Sequence, residues 1–121
     1  MQAACKIAVV DDDDAMRESL TFLLTIAGHQ VMDFGSGEEF LQCDELDQVL
    51  GLILDHHMPR SSGLELATRL RAGEWQLPIL LITGVLSPAI VARAEELGIE
   101  KVLEKPPAEP DIMAFIDGLG G

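Results

Sequence analysis

The sequence has few cysteines, few basic residues and no long apolar run, and each shortage closes off a class of protein. Cys5 and Cys43 stand in no metal-ligand spacing, so free thiols in a reducing compartment are expected rather than a thiolate site. Lys and Arg number 8 against 21 Asp and Glu, a net charge of −13, and such a surface repels a phosphate backbone, which excludes direct nucleic-acid binding by this domain. No apolar run approaches the roughly 18 residues of a membrane helix. The N-terminal MQAACKIAVVDDDD lacks a secretory pattern, so a soluble, cytoplasmic protein with no membrane contact is expected. No low-complexity segment or linker interrupts the chain.

What is present reads as one domain over residues 1–121, with 48% hydrophobic and 24% charged residues in the ordinary globular range. Short apolar runs at KIAVV (6–10), QVMDF (30–34), LGLIL (50–54), PILLI (78–82) and KVLEK (101–105) read as strands, several apolar enough to be covered on both faces. Helices alternate with them. Asp13 or Asp14 caps the first, whose Met16, Leu20, Leu23 and Ala27 share a face ahead of Gly28. Ser36 with Glu39 reads as a capping box, and GLELATRLRA (63–72) presents Leu64, Ala67 and Leu70 or Leu66 and stops at Gly73. Ser87–Pro88 opens a fourth helix carrying Val91, Ala94 and Leu97, and a fifth spans about 109–118 before Gly118, Gly120 and Gly121. Strand–helix alternation of this kind predicts an α/β, flavodoxin-like, doubly wound (βα)5 fold with a five-stranded parallel sheet in the order 2-1-3-4-5.

In that order the residues following the strands converge. Asp11 and Asp12 follow the first strand, Asp55 the third and Thr83 the fourth, and Lys105 ends the fifth. Neighbouring carboxylates about 4 Å apart repel by roughly 4 kcal/mol at an effective dielectric of about 20, so a cation is needed among them. Oxygen ligands of this type suit Mg²⁺, and a hydroxyl and an ammonium beside them suit a phosphoryl group.

The motifs VVDD (9–12), LDHHMPRSSG (54–63), ITG (82–84) and EKP (104–106), in this order, resemble those of the receiver domain of two-component response regulators. The resemblance spans the whole chain, and DFGSGEEFL (33–41) resembles the second strand and helix of receivers attached to helix-turn-helix output domains. It implies that Asp55 is the phosphoacceptor. It also implies that Asp12, Asp55 and the backbone carbonyl of His57 coordinate Mg²⁺, with Asp11 acting through a water, and that Thr83 and Lys105 hold phosphoryl oxygens. The implied donor is a sensor histidine kinase or a phosphotransfer protein. The implied output is a face formed by residues 84–118, acting on an effector domain or making a homodimer. A cis Lys105–Pro106 peptide is implied as well. The chain is then either a stand-alone receiver or the N-terminal part of a longer regulator. It is not an enzyme beyond catalysing its own phosphorylation and dephosphorylation.

Two positions depart from the family pattern: Val102 stands where an aromatic usually sits, and Pro107 where another often follows Lys-Pro. Two other functions fit parts of the sequence. A haloacid-dehalogenase-like phosphatase would use Asp11 as nucleophile in an Asp-x-Asp pair with Asp13, although that family's glycine and threonine do not follow. A degenerate receiver would act as an unphosphorylated interaction module. Asp13 and Asp14 read as helix N-terminal anions, and the His56 and His57 rings lack the spacing of a metal site. Gly63 reads as turn chemistry. Met16, Met32, Met58 and Met113 read as packing residues, and Trp75 as a satellite beside Leu77.

Overall fold

The computed structural model describes residues 6–58 and 62–119. Cys5, Gly120, Gly121 and residues 59–61 of the LDHHMPRSSG motif lie outside them. In chain order the elements are β1 (Lys6–Val10), α1 (Asp14–Ile26), β2 (Gln30–Phe34), α2 (Gly37–Leu41), a short 3-10 turn (Leu46–Gln48), β3 (Gly51–Asp55), α3 (Gly63–Ala72), β4 (Ile79–Thr83), α4 (Pro88–Glu96), β5 (Lys101–Glu104) and α5 (Glu109–Asp117). The five strands form one parallel sheet in the order β2-β1-β3-β4-β5, the order expected from the sequence.

The strand period of two divides the interior into two apolar clusters. Ala8, Val10, Leu52, Leu54, Ile79 and Leu81 point to one face, where Phe40, Leu66, Ala67, Leu70 and Leu97 from the α2, α3 and α4 side meet them. Ile7, Val9, Ile53, Leu80 and Ile82 point to the other, covered by Leu20 and Leu24 of α1 and Ile112, Phe115 and Ile116 of α5. Every residue of β3 and β4 is buried, whereas the edge strands β2 and β5 contain no fully buried residue.

Several local expectations shift. β3 and β4 run one residue further than their apolar runs, because Asp55 and Thr83 keep their places in the ladder opposite Ile82 and Glu104. On α1 the buried residues are Leu20 and Leu24, while Ala27 is its exposed C-cap. Its burial stripe follows the i, i+4 row through Leu24. Asp13 is its N-cap, accepting from the backbone N–H groups of Ala15 and Met16. The Ser36 box is half made: Ser36 Oγ accepts from Glu39 N–H, but the Glu39 carboxylate accepts instead from Gly35 N–H at 3.2 Å. A complete capping box forms on α3 between Ser62 and Glu65. Trp75 is partly buried and packs against the larger cluster, which contains Leu77, with its ring stacked on Phe40 at 6.1 Å between centroids.

Candidate functional site

Among the described residues, the buried polar or charged ones are Asp11, Asp55 and Thr83, and all three lie at the carboxyl edge of the sheet. Asp55 closes β3 and Thr83 closes β4, while Asp11 follows β1 directly with its N–H bonded to Phe34 O. Their neighbours are equally fixed. Lys105 N–H donates to Thr83 O at 2.8 Å, which ties the residue after β5 to the end of β4, and the Lys105–Pro106 peptide is cis. Arg17 donates to Asp11 O at 2.8 Å and pairs with Asp14 and Asp33, so one guanidinium joins α1, β2 and the end of β1.

Side chains converge from these ends. Asp11, Asp12 and Asp55 each bring one carboxylate oxygen within 4.8 Å of the others. Like charges at that separation cost roughly 3–4 kcal/mol per pair at an effective dielectric of about 20. Lys105 Nζ lies 2.8 Å from Asp55 Oδ1 and relieves part of this. Three carboxylates, Asp11 and Asp55 buried and Asp12 exposed, with oxygens this close together fit a hard cation with oxygen ligands.

Titration behaviour carries the same imprint. Burial pushes the Asp11 carboxyl up to about 6, aided by the charges of Asp55 and Asp12, although the Asp13 N–H bond at 2.9 Å and Lys105 oppose it. For Lys105, burial favours the neutral amine, but the contact with Asp55 and the charges of Asp55, Asp11 and Asp13 outweigh it and hold the ammonium above its usual range. Burial, then the neighbouring His57, lowers His56.

Thr83 is also held by contacts the sequence did not reveal. Its hydroxyl donates to Val85 O at 3.1 Å and accepts from Val85 N–H at 3.3 Å. The His57 ring reaches it as well, with Nε2 3.0 Å from Oγ1. Leu86 N–H donates to Glu104 Oε2 at 3.3 Å. Val102, opposite Leu81 in the ladder, packs into the larger apolar cluster. Asp13 is committed to capping α1, which removes it as the partner acid of an Asp11 nucleophile.

A doubly wound sheet thus gathers carboxylates that could hold a metal ion, together with a hydroxyl and an ammonium, at its carboxyl edge. The profile of the response regulator receiver domain matches residues 7–117, and the chain belongs to this family, whose general mechanism is phosphorylation of an aspartate. The transcriptional regulatory protein FixJ of Bradyrhizobium diazoefficiens is 38% identical over 116 residues, covering 92% of this chain and 54% of that protein. The response regulator MprA of Mycobacterium leprae is 37% identical over 114 residues, covering 94% and 50%. Among solved structures, the Vibrio cholerae chemotaxis protein CheY4 matches with a TM-score of 0.86 at 26% identity, over 95% of this chain and 98% of that one. The chain thus spans about half the length of the curated relatives it matches. No helix among the described residues is long and apolar enough to cross a membrane.

Proposed function

We propose that residues 1–121 act as one receiver domain in the cytoplasm, accepting a phosphoryl group on Asp55 from a histidine kinase or a phosphotransfer protein. The observation that carries this is the placement of Asp55, 3% exposed at the end of β3, with Lys105 Nζ at 2.8 Å and two carboxylates beside it. Asp12, Asp55 and the His57 backbone carbonyl would hold Mg²⁺, with Asp11 acting through a water. When bound, the cation supplies the charge neutralisation that phosphoryl transfer needs.

The chain's own residues do the rest. An Asp55 carboxylate oxygen attacks phosphorus as the phosphorus–nitrogen bond of the donor phosphohistidine breaks, and the electron pair returns to the donor imidazole, which takes up a proton. Lys105 already faces Asp55 and pairs with one oxygen of the transferred group, and the Thr83 hydroxyl donates to another. The product is a mixed anhydride, so water reverses it. Catalysis is confined to the protein's own phosphorylation and dephosphorylation. Phosphorylation replaces the single negative charge of the Asp55 carboxylate with an acyl phosphate carrying roughly −1.5 to −2 in all, a net gain of about −0.5 to −1, and places three acceptor oxygens beside Thr83. The face formed by residues 84–118 then carries the change to an effector domain or a second copy.

Incubation with Mg²⁺ and acetyl phosphate, followed by intact mass spectrometry, tests the reading. One phosphoryl group should add to the wild type and none to Asp55→Asn. Unchanged labelling of Asp55→Asn would refute it.

A further inference from the structure

The Thr83 hydroxyl has one proton and two lone pairs, and all three are engaged. The proton goes to Val85 O at 3.1 Å, and one lone pair receives Val85 N–H at 3.3 Å. His57 Nε2 at 3.0 Å takes the remaining position, and with the hydroxyl proton assigned to Val85 O the imidazole donates in that bond as its Nε2–H tautomer. The ring also lies over the next residue, since a Cβ placed on Gly84 would sit 3.6 Å from His57 Nε2 and 3.7 Å from Cδ2. Two residues on, Leu86 N–H is tied to Glu104 Oε2 at 3.3 Å. The segment 83–86 is therefore held at both ends, and the bond to His57 spans from the loop after β3 to the end of β4.

A hydroxyl that is to donate to a phosphoryl group on Asp55 must first leave Val85 O, and the His57 contact is one more bond that holds it where it rests. Val102 has no polar atom with which to take part in this exchange, and its partly buried side chain packs against the core cluster. We propose that the His57 side chain is a positioning residue that holds the Thr83 hydroxyl in the resting arrangement and so sets how readily the 83–86 segment changes over when Asp55 is modified. This rests on the phosphorelay reading above. It gives the His57 ring a role separate from any part its backbone carbonyl plays.

The bond favours the resting state alone, so its loss raises the fraction of molecules already competent to bind a phosphoryl mimic. The probe is beryllofluoride with Mg²⁺, titrated into wild type, His57→Ala and His57→Gln while amide and methyl NMR signals of Thr83, Val85 and Leu86 are followed. In the ligand-free state, His57→Ala should shift these signals toward their positions in the liganded wild type, and its Kd for beryllofluoride should fall about 2- to 10-fold, the worth of one net hydrogen bond. His57→Gln, whose amide nitrogen can donate in place of Nε2, should restore both signals and Kd. A role in folding alone would not yield that rescue. Wild-type binding at Asp55 combined with unmoved Thr83 signals and an unchanged Kd in His57→Ala would overturn the inference and leave the phosphorelay reading standing. Absence of Asp55-centred shifts in the wild type itself would overturn both.

Discussion

Along β3, Leu52, Ile53 and Leu54 bury apolar side chains on both faces of the sheet, whereas Asp55, the next residue, buries a carboxylate to 3% exposure. β4 repeats the contrast, with Leu81 and Ile82 followed by a fully buried Thr83. The body of the sheet is stabilised by packing that is indifferent to protons and ions. Its carboxyl edge holds carboxylates that burial and mutual repulsion oppose, and so its free energy depends on what binds there. One continuous ladder thus joins a part that fixes the fold to a part that responds.

The sharpest test of that division is a cavity in the body. Leu81→Ala removes a fully buried side chain from the larger cluster and should cost about 2–5 kcal/mol in urea unfolding. The stabilisation gained on adding Mg²⁺ should remain that of the wild type. A smaller effect, and one that crosses the division, is expected at Gly63. A Cβ there would lie 2.7 Å from the Asp55 carbonyl oxygen and 3.0 Å from His56 Cα, and backbone cannot yield cheaply. Gly63→Ala should cost about 3 kcal/mol and also slow phosphorylation from acetyl phosphate, because relief of the clash displaces the end of β3. Loss of stability with an unchanged labelling rate would separate the two regions more cleanly than proposed.

At the edge itself the sign reverses. The Asp11 carboxyl is raised to about 6 from 3.8, so the native state binds its proton more tightly than the unfolded chain. The stability this contributes is complete below about pH 4 and is lost as pH rises through about 6. Asp11→Asn keeps an oxygen to accept from Asp13 N–H and abolishes the charge. Without divalent cation it should therefore be more stable than the wild type by about 2 kcal/mol at pH 7, an advantage that fades toward pH 4. Added Mg²⁺ should stabilise the wild type more than the variant, and equal stabilisation of both would remove Asp11 from the cation site.

How far this division was legible in the sequence differs between its halves. The body was readable because β1 and β2 are short apolar runs bounded by polar residues and glycine, and the strand ends in the order 2-1-3-4-5 placed Asp55, Thr83 and Lys105 at the edge, where the family resemblance gave them roles. The ends of β3 and β4 were misread by one residue, since hydropathy stops at the carboxylate or hydroxyl while the hydrogen-bond ladder continues through it. Helix caps were half readable: Ser36 and Ser62 both precede glutamate at the third position, and only the geometry of Gly35 decides which glutamate closes its box. The His57 bond to Thr83 crosses 26 residues between two loops, and no local pattern encodes which neighbour an exposed imidazole selects.

The smallest expected effect locates the boundary between the regions on the α4 side. Ser87 immediately follows the tethered segment 83–86, yet its hydroxyl accepts from Ile90 N–H at 3.2 Å and so caps α4 rather than joining the edge. Ser87→Ala should cost about 1 kcal/mol, the usual worth of an N-cap, and lower the unfolding midpoint at every pH alike. If α4 is coupled to the edge only through residues 83–86, the beryllofluoride Kd stays at the wild-type value, because the cap is made equally in both states. A Kd that shifts with Ser87→Ala would mean that the start of α4 reorganises with Thr83, and the responsive region would then extend one helical turn into what otherwise behaves as body.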